Sequence, residues 1–156
     1  MSRLWPLTCL VCVCCVAGCD RPLGLDVPSI TGRKISDQEA IAVVLDDVHR
    51  GLQTSRIYKV MAHLSPRYHD ECGRDRQAVQ AYLNDFFKRY RDIWIMRVRP
   101  EIALMGERAR VIETFGATAE PVNRDVDAPI NSQGQVMIYL EKVGGDWKIV
   151  EWREVR

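Results

Sequence analysis

Beyond residue 19 the sequence contains one cysteine, Cys72, and three histidines that stand apart from one another. A structural zinc site needs two closely spaced pairs of cysteine or histidine ligands, and this part of the chain offers no such pairs. A single thiol also excludes an internal disulfide here. We therefore predict that the protein uses no metal and no cofactor.

The sequence has no excess of charge of either sign and no basic run. Its 22 Lys and Arg residues nearly balance its 21 Asp and Glu residues. Because nucleic-acid binding depends on a positively charged surface, we exclude nucleic acid as a partner. A chain of 156 residues is long enough for one domain with its own core and short for two.

A long apolar run is confined to residues 4–18, which follow Arg3 and end in small residues. The run is shorter than the roughly 20 residues that a transmembrane helix needs. A basic start, an apolar middle and a small-residue end are typical of a secretion signal. Five of the six cysteines lie in or beside this run, and we interpret them as part of the signal rather than as a redox motif; they are Cys9, Cys12, Cys14, Cys15 and Cys19.

Residues 16–19, Val-Ala-Gly-Cys, resemble the lipobox of bacterial lipoproteins. The resemblance implies that the signal, residues 1–18, is removed and that Cys19 carries the diacylglycerol that anchors the chain to a membrane. Two or three acyl chains would make this attachment permanent. We expect an envelope protein that faces the periplasm, and Asp20, which resembles an inner-membrane retention signal, favours the inner membrane. The alternative is an ordinary cleavable signal that ends near a cysteine.

A lipidated N-terminus and tether, residues 19–35, precede the domain, residues 36–156, which changes from helical to strand periodicity. Ser36 and Glu39 form a capping-box sequence ahead of an apolar helical repeat, and two further helical repeats follow. The next apolar residues alternate in twos, which is typical of strands. We predict an α+β fold in which three N-terminal helices pack on a curved antiparallel sheet of about four strands.

The predicted strands are separated by turns and by one longer loop. A proline interrupts the first of them, which favours an edge position or a bulge. A further loop is predicted between the second and third helices, at residues 67–75. The four strands are expected at residues 93–105, 107–120, 134–143 and 146–155.

Two stretches resemble the nuclear transport factor 2-like superfamily, which includes SnoaL-like polyketide cyclases and ketosteroid isomerases and has a cystatin-like cone. They are GERARVIETF, residues 106–115, and GDWKIVEW, residues 145–152. The resemblance implies a conical body whose helices and sheet enclose a pocket. Members of this superfamily range from isomerases and dehydratases to binding modules without chemistry. The catalytic carboxylate and histidine of its enzymes cannot be matched to positions here.

Three residues are candidates for acid–base catalysis. Strand alternation puts Glu113 and Glu151 in phase with core residues, and a carboxylate on a buried face must be paired, hydrated or protonated. His69 lies in the predicted loop that could form the lip of a pocket. The alternative is that the two carboxylates form structural ion pairs with neighbouring arginines, and that His69, like His49 and His63, is structural or exposed.

Apolar and aromatic residues predict a pocket and an interface. The residues expected to line the pocket are Tyr58, Tyr82, Phe86, Val111, Phe115 and Trp147. Both faces of the predicted sheet are partly apolar, whereas helices on one side need only one such face. We therefore predict a homodimer, or an envelope protein partner, that covers Trp94, Met96, Met137, Tyr139 and Trp152.

The sequence favours a membrane-anchored binding or assembly module with a pocket for a small apolar ligand. The alternative is an isomerase, cyclase or dehydratase-type enzyme. The two differ in what the cone should contain. An enzyme needs two titratable groups that converge in a cavity, whereas an assembly module can fill the cone with side chains.

Overall fold

The computed structural model describes residues 35–155. The predicted signal peptide, the lipidation site at Cys19 and all of the tether but its last residue lie outside the described residues. The core is built within the described part, from Ile41 to Ile149. Among the described helices, none is both long enough and apolar enough to cross a membrane.

The three helices lie where the apolar repeats predict them: α1 Asp37–Gln53, α2 Ile57–His63 and α3 Arg76–Arg89. The capping box at the start of α1 is formed, because the Glu39 backbone N–H donates to Ser36 Oγ at 3.2 Å and the Ser36 N–H donates to Glu39 Oε2 at 2.8 Å. At the other end, a Cβ on Gly51 would lie 2.9 Å from Val60 Cγ2. Glycine there lets α1 and α2 approach closely.

The sheet has six strands rather than the predicted four: β1 Leu64–Asp70, β2 Tyr90–Arg97, β3 Glu101–Met105, β4 Arg108–Pro121, β5 Ile130–Val143 and β6 Asp146–Glu154. Their order is β1-β6-β5-β4-β2, and β3 also pairs with β4. β1 runs parallel to β6, so the curved, open sheet is mixed and not purely antiparallel.

Two features account for the extra strands. The stretch predicted as one strand across Pro100 is two strands, β2 and β3, which pair with different halves of the long strand β4. Proline has no N–H to donate to the ladder, and the break falls there. The other addition is β1, which covers part of the predicted loop and pairs with the last strand of the chain.

The helices cover one face of the sheet, and the core lies between them. α1 contributes an apolar stripe that includes Ile41, Leu45 and Val48, and the sheet contributes the inward residues of its three longest strands. The largest fully buried core residues from the sheet are Val111, Ile138, Leu140 and Ile149. β4 also places Glu113 on this inner face, where the residue is 1% exposed.

A bulge in β6 reverses the predicted orientation of two site candidates. Leu140 pairs with Ile149, but the next residue back, Tyr139, pairs with Glu151, so Val150 is the extra residue. As a result Glu151 lies beside Tyr139 in a groove on the outer face. Trp152, predicted for the outer interface, instead packs against the buried core.

Candidate functional site

A buried polar cluster joins the sheet to α1. The Glu113 side chain on β4 is fully buried, and Arg97 Nη1 on β2 donates to its Oε1 at 3.0 Å. The Arg97 guanidinium also forms an ion pair with Asp46 of α1. Arg97 therefore bridges two carboxylates, and Glu113 is not an isolated charge, whose burial would be prohibitively costly.

His49 of α1 completes the cluster from the other side. Its Nδ1 donates to the carbonyl oxygen of Leu45, one turn back, at 2.6 Å. Its Nε2 lies 3.3 Å from Glu113 Oε2, and its side chain is 7% exposed. The ring also lies 6.3 Å from the Trp152 ring, centroid to centroid, at a tilt of 59°. A carbonyl oxygen only accepts, so the Leu45 contact requires a proton on Nδ1 and leaves Nε2 as the ring nitrogen beside the carboxylate.

The two Glu113 oxygens differ in their partners. Oε1 accepts from Arg97, whereas Oε2 is buried and makes no hydrogen bond of normal geometry to any described protein group. The contact from Oε2 to His49 is within ion-pair distance but does not meet the geometry of a hydrogen bond. Buried acceptors in proteins nearly always have a partner; among the side chains of residues 35–155 this oxygen is the one exception, and its residue lines a cavity.

The cavity has a volume of about 200 Å³ and one polar corner. Its lining is otherwise apolar and aromatic; the residues are His49, Leu52, Ile95, Glu113, Phe115, Ala117, Val136 and Trp152. Two neighbouring recesses of about 290 and 190 Å³ share part of this wall, and Leu52 lines all three. Helix and sheet thus leave a divided apolar space with a carboxylate and an imidazole at one end.

One recess has a charged rim on β1 and the turn that follows it. Asp70 accepts hydrogen bonds from the backbone N–H groups of Cys72 and Arg74 at 2.9 and 2.8 Å and from Arg74 Nε at 2.6 Å. The Arg74 guanidinium lies 4.5 Å above the Tyr82 ring. Burial opposes ionisation of Asp70, but these bonds outweigh it, so the pKa of the Asp70 carboxyl lies below its usual value.

The structure divides the six predicted pocket residues into three groups. Tyr82, Phe86 and Phe115 line the recesses. Val111 and Trp147 belong to the packed core. Tyr58 is 64% exposed, so its assignment to the pocket is wrong: α2 turns its neighbours Val60 and Met61 inward and leaves Tyr58 on the outside.

Of the three catalytic candidates, only Glu113 lines the cavity. Glu151 and His69 face the other way, where parallel pairing of β1 with β6 sets them opposite each other. Both line a groove of about 690 Å³ with Tyr139, and Glu151 pairs with Arg153 at 3.3 Å. Glu151 is therefore not a residue of the inner face as predicted.

The partner of Glu113 that the sequence did not single out is His49. Its sequence signal was its place beside the apolar stripe of α1, which is shared by many structural histidines. Convergence with Glu113 depends on how α1 is rotated over the sheet, which no local pattern reports. Within residues 35–155 no group of three or more His, Cys, Asp or Glu residues is placed to hold a metal ion.

Four of the five predicted interface residues lie on the outer face of the sheet. Trp94 and Met96 on β2 are 58% and 63% exposed. Met137 and Tyr139 on β5 are half-buried, and the Tyr139 hydroxyl lies 3.0 Å from Met137 Sδ. The outer face therefore carries exposed apolar side chains on β2 and two half-buried ones on β5, and Trp152 is not part of it.

Comparisons with protein-family models and with curated proteins found no match. Solved structures do match. One is a candidate scytalone dehydratase from Novosphingobium aromaticivorans, with a TM-score of 0.67 and 17% identity over 74% of this chain and 80% of that one. Another is a nuclear transport factor 2-like protein from Cytophaga hutchinsonii, with a TM-score of 0.64 and 9% identity over 76% of this chain and 97% of that one.

A third matching structure is a candidate dehydratase of the nuclear transport factor 2-like family from Streptomyces avermitilis. Its TM-score is 0.62, with 10% identity over 75% of this chain and 95% of that one. At such identities the likeness establishes the fold. The chain has a nuclear transport factor 2-like fold, as the two sequence stretches indicated.

Proposed function

We propose that this chain is a lipid-anchored protein of the bacterial cell envelope that binds a small, mainly apolar molecule between its helices and its sheet. The observation that carries the binding role is the cavity beside Glu113 and His49, with its two adjoining recesses. Side chains normally fill protein interiors at crystal-like density, so a module without a ligand would have little reason to keep this space.

The membrane anchor in this proposal is supported by the sequence alone. Arg3, the apolar run and the lipobox ending at Cys19 occur in the order that lipoprotein signals require. Asp20 favours the inner membrane. A domain anchored in this way would be close to the membrane, where apolar molecules concentrate, and this fits the binding role.

Native mass spectrometry of the full chain, purified from its host in mild detergent, tests the binding role. A copurifying small molecule is expected on the wild-type chain. Ala117 lines the cavity and one recess, so Ala117→Leu should fill that space and abolish the adduct. Ala103→Leu, on an exposed position of β3, is the matched control and should retain it. Wild-type chain that copurifies with nothing and binds no apolar probe would contradict the proposal.

A second candidate function is acid–base catalysis in the same cavity. The observation in its favour is that Glu113 and His49 converge on one cavity wall, as an acid–base pair requires. Two of the matching structures carry names that refer to dehydratases. In a dehydratase, Glu113→Gln should copurify with an unconverted substrate that is one water molecule heavier than the wild-type adduct. In a binding module, the two adducts should have the same mass or the variant should have none.

We further propose that the outer face of the sheet contacts a second copy of the chain. Its support is the exposure of Trp94 and Met96 on β2 and of Val98 directly after that strand, the last also 63% exposed. Apolar side chains of this size in a row are unusual on a monomer surface. The alternative partner is another envelope protein.

A further inference from the structure

The recess of about 290 Å³ contains a buried hydroxyl group that no described residue binds. Tyr68 on β1 belongs to the core cluster, lines this recess and is 6% exposed. Its hydroxyl makes no hydrogen bond to any side chain or backbone group of residues 35–155. Buried tyrosine hydroxyls usually have a hydrogen-bond partner, so this hydroxyl is a candidate for contact with a ligand.

The Tyr68 hydroxyl can be reached from the recess, unlike the carboxylate of Glu113. Among the side-chain oxygen and nitrogen atoms of the described chain, Glu113 Oε2 alone is both fully enclosed and without a hydrogen bond. The Tyr68 hydroxyl also has no hydrogen bond, so it must keep some accessible surface. Because Tyr68 lies among the core residues on the inner face of the sheet, that surface belongs to the recess it lines.

The polar groups of this recess lack an acceptor. Burial, and after it the charge of Asp70, raise the pKa of Tyr68 above its usual value, so the hydroxyl keeps its proton at neutral pH. Trp152 on β6 lines the same recess, and its indole N–H, which can only donate, makes no hydrogen bond to a described residue. Asp70 already accepts hydrogen bonds from Cys72 and Arg74. A ligand here is therefore best held through an acceptor of its own.

The charges at the rim favour an uncharged acceptor. The two arginines of the rim are each paired with a carboxylate, Arg74 with Asp70 at 2.6 Å and Arg153 with Glu151 at 3.3 Å. Two further carboxylates of the rim, Glu71 and Glu154, form no ion pair with a described residue. An anionic ligand would meet this excess of negative charge, and an ammonium group could not accept a hydrogen bond from Tyr68.

We infer that the ligand, if the proposed binding function holds, is an uncharged molecule with an apolar body and an oxygen that accepts a hydrogen bond from the Tyr68 hydroxyl. The recess is large enough for such a body, since an apolar cavity of about 150 Å³ accommodates benzene. The body can also extend into the cavity beside Glu113, because Leu52, Phe115 and Trp152 line both spaces.

Three probes with one phenylbutyl skeleton test this inference: methyl 4-phenylbutanoate, 4-phenylbutanoate and butylbenzene. They carry a neutral ester acceptor, an anion and no polar group. The chain lacking its first 19 residues keeps the whole core, from Ile41 to Ile149, and can be titrated by calorimetry without detergent. The three probes differ in how readily they leave water, so the informative quantity is the change in each affinity when the hydroxyl is removed.

Tyr68→Phe removes the hydroxyl and keeps the ring, so the core should still pack. Binding of the ester should weaken about tenfold, which corresponds to roughly 1.4 kcal/mol and is what an unpaired buried acceptor costs. Binding of butylbenzene should not change. In wild type, 4-phenylbutanoate should bind more weakly than the ester. Tyr58→Phe, at a position on α2 that is 64% exposed, is the matched control and should leave every affinity as in wild type.

A measurement on wild-type chain covers the case in which Tyr68→Phe fails to fold. The carbonyl stretch of the ¹³C-labelled ester should lie at lower wavenumber in the complex than in hexane, because the carbonyl accepts a hydrogen bond. An unshifted stretch, or unchanged ester binding in Tyr68→Phe, would overturn the hydroxyl contact and leave the binding function standing.

The remaining outcomes concern the charge of the ligand and the binding function itself. Tighter binding of 4-phenylbutanoate than of the ester would overturn the inference that the ligand is uncharged. Binding of none of the three probes, with no copurifying molecule on the full chain, would overturn the binding function and the inference with it.

Discussion

His49 reaches across the helix–sheet interface to Glu113, with Nε2 3.3 Å from Oε2, while its Nδ1 is held by the Leu45 carbonyl at 2.6 Å. The carbonyl fixes the ring from within α1, so the direction of Nε2 does not depend on the carboxylate. A histidine held in this way presents one defined nitrogen to a cavity.

The first prediction concerns the proton on Nδ1 of His49. Because a carbonyl cannot donate, Nδ1 should carry a proton at every pH at which the domain is folded. Multiple-bond ¹H–¹⁵N correlation spectra report the protonation of each ring nitrogen directly. His63 and His69 serve as internal references in the same spectra. A His49 ring protonated at Nε2 alone would contradict the geometry.

A double-mutant cycle tests the pairing of Arg97 with Glu113. Arg97→Met leaves the buried Glu113 carboxylate without its cation and should destabilise the domain by about 3 kcal/mol. Adding Glu113→Met removes the stranded charge and should recover most of that loss. Urea unfolding at neutral pH measures both changes. Arg99→Met, at an exposed position, should be nearly neutral, and additive costs in the double variant would refute the coupling.

The helices could be predicted because their signals are local. The capping box involves residues three apart, Ser36 and Glu39, and the apolar repeat of α1 spans only a few helical turns. The structure has both. The same is true of the turn at Gly144 and Gly145, whose positive φ angles of 60° and 95° suit glycine. Helix caps and tight turns depend on residues that are close together in the sequence, so the sequence alone predicts them.

The remaining features depend on contacts between distant residues. β1 is a strand because Leu64 and Asp70 pair with Ile149 and Trp152, and its own sequence includes a proline and several charges. One extra residue, Val150, reverses the alternation of β6, so Glu151 was assigned to the wrong face. Periodicity cannot reveal a bulge, since the same residues alternate regularly without it.

Asp70 should make the domain sensitive to acid. Its pKa is lowered in the folded state, because hydrogen bonds from Arg74 and Cys72 outweigh the opposing effect of burial. A depressed pKa contributes stability that is present above the unfolded value of about 3.9 and lost as the pH falls through the folded value. Asp70→Asn should therefore cost about 2 kcal/mol at pH 7.

Urea midpoints across the pH range measure this effect. The gap between wild type and Asp70→Asn should close as the pH falls below about 4. Asp85→Asn, whose side chain is 65% exposed, is the control and should track wild type throughout. A gap that persists unchanged in acid would mean that the Asp70 carboxylate charge does not stabilise the fold.

The proposed dimer predicts a mass that depends on β2. Light scattering on the chain lacking its first 19 residues should give twice the monomer mass at micromolar concentration. The double variant Trp94→Lys, Met96→Lys should be monomeric. Both side chains are mostly exposed in the single chain, and the lysines of two copies would repel each other at the contact. Val126→Lys, in the β4–β5 loop and 73% exposed, should leave the dimer intact. A wild-type monomer at all concentrations would exclude this contact.

The lipid anchor predicts a count of thiols. If residues 1–18 are removed and Cys19 carries diacylglycerol, only Cys72 can react, and it is exposed in the folded domain. Thiol titration of chain purified from its host should give one thiol, and mass spectrometry should find the lipid on the N-terminal peptide.

Each buried methylene contributes about 0.8 kcal/mol to attachment, so washing with carbonate should not release the protein and detergent should. Two reactive thiols in the mature chain would show that Cys19 is unmodified.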